Sequence, residues 1–266
     1  TNYLGRLWLS IRNNSGPLKV DGIPDDLEYL NQLADFYYRG HFAPHTPKDN
    51  RMKVIIPIMA QNEENILSIN LTVPDVSGEE WLSIYQKRSW SIDWEQTFSN
   101  VNGCLLFVRV DSSQNVPAID WVSCYKLFQK VPENHSEVPT QIILVDWLQC
   151  LISAFGEKKL KRKPRIGIIV SAFDLIPNEQ KMLGPDMYLK SNFPLFWQFI
   201  YTIENWLDIR VFGTSIAGGD FDADQDFRKK FLHESPEDAG CVFYHSNSKV
   251  LESKDIALPV IWVMGL

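Results

Sequence analysis

Apolar residues recur every three or four positions in several stretches of the chain, and this period predicts amphipathic helices. The predicted helices are Asn2–Arg12, Asp25–Tyr38 with Asp25 as its N-cap, a segment from about Glu79 into the Tyr85 region, Thr140–Phe155, Phe193–Trp206, Phe227–His233 and Leu258–Met264. A helix with one apolar stripe is stable when that stripe packs against another element. The pattern therefore predicts a layered fold.

Extended apolar runs separate these helices and predict strands. The runs are Lys53–Met59, Ile66–Val73, Cys104–Val110, Arg165–Ser171 and Asp208–Gly213. The first two flank a short polar link and form a predicted hairpin. The third and fourth are continuously apolar, as in strands that are buried on both faces of a parallel sheet.

Strands that alternate with helices predict an α/β fold. We expect a mostly parallel sheet with helices on both faces, and the hairpin as one antiparallel edge. No internal repeat or composition shift marks a boundary, so residues 1–266 are expected to form a single domain.

The composition argues against some classes of binding partner. A formal net charge of −7 argues against broad binding to nucleic acid or to an anionic membrane surface. The longest apolar stretch near the end, 256–266, is too short to span a bilayer. The cysteines lie far apart, without a C-x-x-C pair, which fits a reducing compartment. A cytoplasmic protein is expected.

Polar residues follow several predicted strands, at the sheet edge where α/β proteins bind ligands. Asp75 and Gly78 form a D-x-x-G motif, in which the carboxylate can hold a Mg²⁺-bound water and the glycine lets an N–H approach a phosphate. The carboxylate of Asp174 could accept two N–H donors from a guanine edge. Ser215 lies in a loop of small residues, and Thr46 lies in the loop before the hairpin, where its hydroxyl could complete a Mg²⁺ shell. Taken alone, each motif also fits an ordinary turn.

The order of these motifs resembles that of the Ras-like, translation-factor-related class of P-loop GTPases. Within that class, the residues of the motifs look closest to those of the bacterial double-GTPase families. The resemblance covers nearly the whole chain. It implies GTP or GDP and Mg²⁺ as ligands. The residues implied at the metal are Thr1, Thr46 and Asp75, and Gly78 is implied at the γ-phosphate. Glu79 would stand in the place of a water-orienting Gln, and Ser171, Asp174 and Ser215 would contact the nucleotide base. It also implies a protein partner.

The sequence departs from the family pattern in three places. No G-x-x-x-x-G-K-[ST] motif occurs, so the domain is expected to lack its first strand and P-loop, with Thr1 as the closing hydroxyl residue of that loop. The usual N-K-x-D motif is replaced by Ser171-Ala172-Phe173-Asp174. The lysine whose side chain lies along the nucleotide base in the family pattern is therefore missing. The carboxylate of Glu79 would repel the developing phosphate charge, so hydrolysis is expected to be slow.

Three functions remain open at this point. The first is a GTP-binding switch or slow Mg²⁺-dependent GTPase in a bacterial defence or signalling system, with hydrolysis only if a P-loop precedes Thr1. The second is a degenerate GTPase-like module that binds proteins without hydrolysis and uses an aromatic face with Trp81, Trp90 and Trp94. The third is another α/β enzyme, although no G-x-S-x-G, H-E-x-x-H or G-x-G-x-x-G motif occurs.

Overall fold

Helices and strands alternate along the chain, as the pattern predicts. The computed structural model describes residues 1–14, 16–44, 52–61, 66–75, 78–87, 92–99, 101, 103–112, 115, 138–156, 162–234 and 236–266. The helices are α1 (Asn2–Arg12), α2 (Leu27–Tyr38), α3 (Gly78–Lys87), α4 (Ile92–Ser99), α5 (Thr140–Gly156), α6 (Asn178–Lys181), α7 (Pro185–Asn192), α8 (Pro194–Thr202), α9 (Gln225–His233) and α10 (Leu258–Met264). The strands are β1 (Leu18–Val20), β2 (Met52–Gln61), β3 (Ile66–Asp75), β4 (Gly103–Arg109), β5 (Arg165–Ser171), β6 (Asp208–Ser215), β7 (Cys241–Ser246) and β8 (Lys249–Ser253).

A five-stranded mixed sheet has the order β4-β5-β6-β7-β8. Strands β4, β5 and β6 are parallel, and β7 and β8 continue the sheet as antiparallel strands. Arg109, Ser171 and Thr214 lie side by side in the register, so the carboxyl ends of the parallel strands form one edge. The prediction of parallel strands is confirmed for β4, β5 and β6, but the sheet as a whole is mixed and not mostly parallel.

The predicted position of the hairpin is wrong. Strands β2 and β3 pair with β1 in a separate three-stranded antiparallel sheet, of order β1-β2-β3, and not with the parallel strands. The antiparallel hairpin that does extend the parallel strands is β7–β8, which the sequence analysis did not predict. Its turn residues, Asn247 and Ser248, both have positive φ, of 50° and 63°.

Helices cover both faces of the five-stranded sheet, as predicted. On one face, Leu148, Leu189 and Phe196 of α5, α7 and α8 pack in a cluster with Ile168 and Val170 of β5. On the other face α10 covers the sheet. Its Trp262 meets Phe212 edge-on with ring centroids 5.9 Å apart, and a Cβ on Gly167 would lie 3.5 Å from Val263. Alternate residues of β5 therefore face different helices, and the strand is buried on both sides.

Helix α1 lies in the core that joins the two sheets. Its Leu7 and Ile11 share one hydrophobic cluster with Ile56 of β2, Leu33 of α2 and Val260 of α10. Each fully buried aliphatic side chain of this kind contributes about 1.5–3 kcal/mol. The position of α1 is therefore fixed by contacts with elements from both ends of the chain.

Some element predictions are corrected in detail. The N-cap of α2 is Asp26, whose side chain accepts from the Tyr29 N–H, because Asp25 instead accepts from the Ile55 N–H of β2 at 2.7 Å. The predicted helix Phe193–Trp206 ends at Thr202. Strand β4 is not buried on both faces, since Phe107 is 43% exposed.

The predicted contribution of Trp94 to an exposed aromatic face is wrong. Its side chain is only 7% exposed and stacks on Phe98 with ring centroids 5.3 Å apart. Trp90 and the side chain of Trp81 lie outside the described residues. Trp94 is therefore a packing residue and does not present a surface to a partner.

Candidate functional site

The carboxyl edge of the parallel strands gathers several of the predicted site residues. Ser171 ends β5 and lies beside Thr214 of β6, and Ser215 is the next residue of that strand. The carbonyl of Ser171 accepts a hydrogen bond from the N–H of Val110 at 3.0 Å, so the chain leaving β4 also passes along this edge.

A tight turn positions Asp174 at the same edge. Ala172 adopts the left-handed conformation, with φ of 56°, and a short 3₁₀ turn follows over Phe173–Leu175. Phe173 is fully buried against Gly213 of β6, where any Cβ would lie 2.7 Å from the ring. The buried ring and the glycine under it fix the turn, and they leave the Asp174 side chain partly exposed.

The hydroxyl of Ser215 is used inside the loop that follows β6. It accepts a hydrogen bond from the N–H of Gly218 at 2.9 Å, and the residue is 1% exposed. The hydroxyl therefore holds the loop and is not directed at a ligand. This loop is the one that the sequence predicts to contact the base.

Cys241 lies close to both Ser215 and Asp174. It is the register partner of Ser215, and its thiol is close enough to Asp174 for that carboxylate to influence it. Burial, followed by the nearby Glu252 carboxylate, raises the pKa of the Cys241 thiol to about 12. Cys241 is therefore a protonated thiol that packs beneath the edge.

The start of α1 lies close to this edge. The Tyr3 ring meets Phe107 of β4 edge-on at 5.3 Å, and its hydroxyl donates to the Ile256 carbonyl at 2.8 Å. The fully buried guanidinium of Arg6 donates to the carbonyl of Ala239, two residues before β7, at 3.2 and 3.3 Å. Thr1 precedes α1 as its N-cap residue, without a side-chain capping hydrogen bond.

A short segment runs from α2 to the start of α1. Residues 39–44, which we call the strap, approach α1 where the N–H of Ala43 donates to the Asn2 side chain at 2.7 Å. Within the strap, Phe42 packs on Phe221 of the loop after β6, with ring centroids 4.8 Å apart. The strap therefore contacts both the α1 end and the β6 end of the site.

The remaining predicted site residues are only partly described. Asp75 is the last residue of β3, Gly78 is the first of α3, and Glu79 follows it in the same helix. The side chains of Asp75 and Glu79 lie outside what the structure describes, and so does all of Thr46. Their convergence on Thr1 stays a prediction. Within the described part of the chain, no group of three or more His, Cys, Asp or Glu side chains is arranged to hold a metal.

A second polar cluster lies at the opposite, amino-terminal edge of the parallel strands. A cavity of about 230 Å³ is lined there by Asp186, Arg210, His245 and the aromatic residues Trp197 and Tyr201. Nδ1 of His245 donates to the Asp186 carboxylate, and the Arg210 guanidinium donates to the His245 carbonyl at 3.0 Å. These contacts fasten α7 to β7.

Sequence reasoning missed Asn2 and Arg228, which hold the strap. The contact of Asn2 joins residues that are 41 positions apart, and those of Arg228 join residues 187 and 189 positions apart. No local sequence pattern predicts such contacts. One weak signal exists in Gly40, whose φ of 62° and position at the end of α2 are typical of a helix stop.

A protein-family model described as Double-GTPase 1 matches residues 1–263. Neither a search of curated proteins nor a search of solved structures finds a match. Across the described ranges, no helix combines the length and the apolar character that crossing a membrane requires.

Proposed function

Because the chain belongs to the Double-GTPase 1 family, we propose that it is a GTP-binding switch or slow Mg²⁺-dependent GTPase that acts in a bacterial defence or signalling system. Membership of a GTPase family implies a guanine nucleotide as the ligand. The observation that carries the finer proposal is the shared edge, where the start of α1, the turn with Asp174 and the loop after Ser215 lie together.

The base end of the proposed site lies at the ends of β5 and β6. Asp174 is partly exposed there, and an ionised carboxylate can only accept hydrogen bonds, which suits the paired N–H donors of a guanine edge. Ser171 and the loop held by Ser215 border it, so the backbone of that loop lies beside the proposed position of the base.

The phosphate end of the proposed site lies at the start of α1. The N-terminus of a helix favours anions because its first N–H groups are unsatisfied and the dipole is positive there. Thr1, Thr46 and Asp75 would supply hydroxyl and carboxylate oxygens, the donor type that Mg²⁺ prefers, so these residue types fit the ion. The ion would neutralise phosphate charge, and Gly78 would bring a backbone N–H to the γ-phosphate.

The proposal requires a phosphate-binding loop directly before Thr1. Within the described residues, β3 is hydrogen-bonded to β2 alone and β4 to β5 alone. A strand leading into α1 would therefore have two edges available for pairing. This loop would bring the phosphates to the first turn of α1, with Thr1 as its last residue.

Slow hydrolysis is proposed from the residue type of Glu79. A carboxylate near the developing phosphate charge opposes the transition state unless a cation or a partner offsets it. Substitution by Gln would remove this repulsion, so Glu79→Gln should raise the turnover rate.

The alternative is a GTPase-like protein-interaction module without hydrolysis. The specific observation in its favour is that large apolar side chains on and just after α8 are exposed, with Leu195, Tyr201 and Trp206 at 48%, 58% and 62%. Exposed apolar surface is used for protein contacts when it forms a contiguous patch. Nucleotide binding without turnover in the test below would favour this alternative.

The test uses the protein expressed from its natural start. Calorimetry should detect GDP and GTP in the presence of Mg²⁺ and a much weaker signal with ATP. Asp174→Ala should weaken GDP binding at least about tenfold, because a buried base edge loses its acceptor. Asp174→Asn should shift preference toward xanthosine diphosphate, since an amide can donate to the extra carbonyl of xanthine. Equal affinity of wild type and Asp174→Ala for GDP would refute the base site.

A further inference from the structure

Arg228 of α9 holds the strap from the side opposite to Asn2. Its guanidinium donates to the carbonyl of Arg39 at 3.3 Å and contacts Nε2 of His41. Its aliphatic stem lies on Gly40, where an added Cβ would be 3.2 Å from the Arg228 Cγ. One side chain therefore contacts three consecutive residues of the strap.

Helix α9 is itself anchored to the loop that follows β6. Asp224 caps the helix by accepting from the N–H groups of Asp226 and Phe227 at 3.0 and 2.8 Å. The ring of Phe227 stacks near Phe221 with centroids 5.9 Å apart. The position of Arg228 is thus tied to the loop that forms the base end of the proposed site.

The strap contacts different parts of the site along its length. Arg228 of α9 holds residues 39–41. Phe42 packs on Phe221 of the β6 loop, and the next residue, Ala43, donates to Asn2, the neighbour of Thr1. Tyr37 adds to the connection with the β6 loop, because its hydroxyl donates to the Ile216 carbonyl at 2.7 Å just before the strap begins.

From this arrangement we propose that Arg228 is a positioning residue of the nucleotide site. It holds the strap so that the base-side loop and the start of α1 keep a fixed separation. The inference rests on the proposed function, since it assigns these two elements to the two ends of a guanine nucleotide. Arg228 touches neither end of the nucleotide and acts through the strap.

Removal of the side chain should loosen the strap without unfolding the protein. In Arg228→Ala, we expect the Gly40, His41 and Ala43 amides to exchange with deuterium about tenfold faster, because local opening loses its restraint. Each of these amides has a hydrogen-bond acceptor, so protection is measurable in the wild type. The midpoint of urea unfolding should change little, since the residue lies on a helix surface.

Nucleotide affinity tests the positioning role itself. We expect Arg228→Ala to weaken GDP binding about tenfold, and Arg228→Lys to fall between it and the wild type, because lysine keeps one donor and loses the planar fork. Added GDP should protect the Ala43 amide in the wild type and fail to do so in Arg228→Ala.

The matched control is Lys229→Ala on the same helix. Lys229 is exposed and pairs with Asp226, away from the strap, so both readouts should match the wild type. Asn2→Ala attacks the other end of the strap and should lower GDP affinity in the same way.

Two results would distinguish a failure of the proposed function from a failure of the positioning role of Arg228. If the wild type binds no guanine nucleotide, the proposed function falls and this inference falls with it. If the wild type binds GDP and Arg228→Ala binds it equally well, only the positioning role of Arg228 is overturned, whether or not strap exchange has increased.

Discussion

Nδ1 of His245 donates a hydrogen bond to the carboxylate of Asp186, and this contact joins the first turn of α7 to β7. Burial raises the pKa of Asp186, while His245 and Arg210 partly oppose that rise. The folded protein therefore ionises this carboxyl less readily than the unfolded chain does. The consequence is a pH dependence of stability with a definite sign.

Asp186→Asn should reveal this dependence. A group whose folded pKa is raised gives its full stabilisation below the unfolded value, about 3.9 for Asp, and loses it as the pH rises through the folded pKa. The free energy of unfolding of the wild type should therefore fall relative to Asp186→Asn as the pH rises above about 4. Urea denaturation of both proteins at several pH values measures this difference.

The same comparison in a His245→Gln background serves as the control, because it removes the partner ring that opposes the effect of burial. The sign should persist there, since burial is the largest cause of the raised pKa of Asp186. A gap that stays constant or changes in the opposite direction would contradict the effect of burial.

Gly240 and Gly218 form a matched pair for backbone substitution. Both have positive φ, of 84° and 88°. A Cβ on Gly240 would lie 2.4 Å from the Ile216 carbonyl oxygen, whereas a Cβ on Gly218 meets nothing within 4 Å. Gly218→Ala should cost about 1 kcal/mol, and Gly240→Ala about 3 kcal/mol or more, in urea unfolding. Equal costs would show that the strand end yields without strain.

Adjacent hydroxyls on β6 should respond differently to removal. Ser215 accepts from Gly218, whereas the buried Thr214 hydroxyl has no hydrogen-bond partner among the described residues. Ser215→Ala should therefore cost about 1–2 kcal/mol, and Thr214→Val should change stability by less than about 0.5 kcal/mol. Thermal unfolding of both variants measures this. A large loss for Thr214→Val would mean that its hydroxyl has a partner.

Cys241 should resist alkylation in the folded protein. The thiolate is the reactive form, and a pKa near 12 leaves very little of it at pH 8. Iodoacetamide should label Cys241 at least about a hundredfold more slowly in the native state than in urea, as followed by peptide mass spectrometry. Glu252→Gln should speed native labelling, because it removes the second cause of the raised pKa. Labelling at the unfolded rate would show that this edge of the sheet opens readily.

Long periodic segments made most of the fold readable from the sequence. Helix α1, the paired strands β2 and β3, and the buried run of β5 follow from local spacing. Local spacing does not say which strands pair. The β2–β3 hairpin belongs to a separate sheet together with β1, a strand of three residues that is too short to show a period.

The candidate site also has a part that could be predicted from the sequence and a part that could not. Ser171, Asp174 and Ser215 were predicted because residues at strand ends share an edge, and the described structure does bring those strand ends together. Their roles, and those of Thr1, Thr46, Asp75, Gly78 and Glu79, stay predictions. Asn2 and Arg228 were missed because a helix surface residue is read as solvated until its distant contact is known.

The hydrogen bond between Tyr3 and the Ile256 carbonyl has a consequence for synthesis on the ribosome. It joins positions 253 residues apart, and Arg6 reaches Ala239 across 233 residues. Helix α1 can pack on α2 and β2 soon after synthesis, but its contacts with Ile256 and Ala239 cannot form until nearly the whole chain has been translated. The part of α1 that meets these late elements stays open to solvent or to a chaperone during that interval. Slow or interrupted translation should therefore prolong the exposure of this part of the helix.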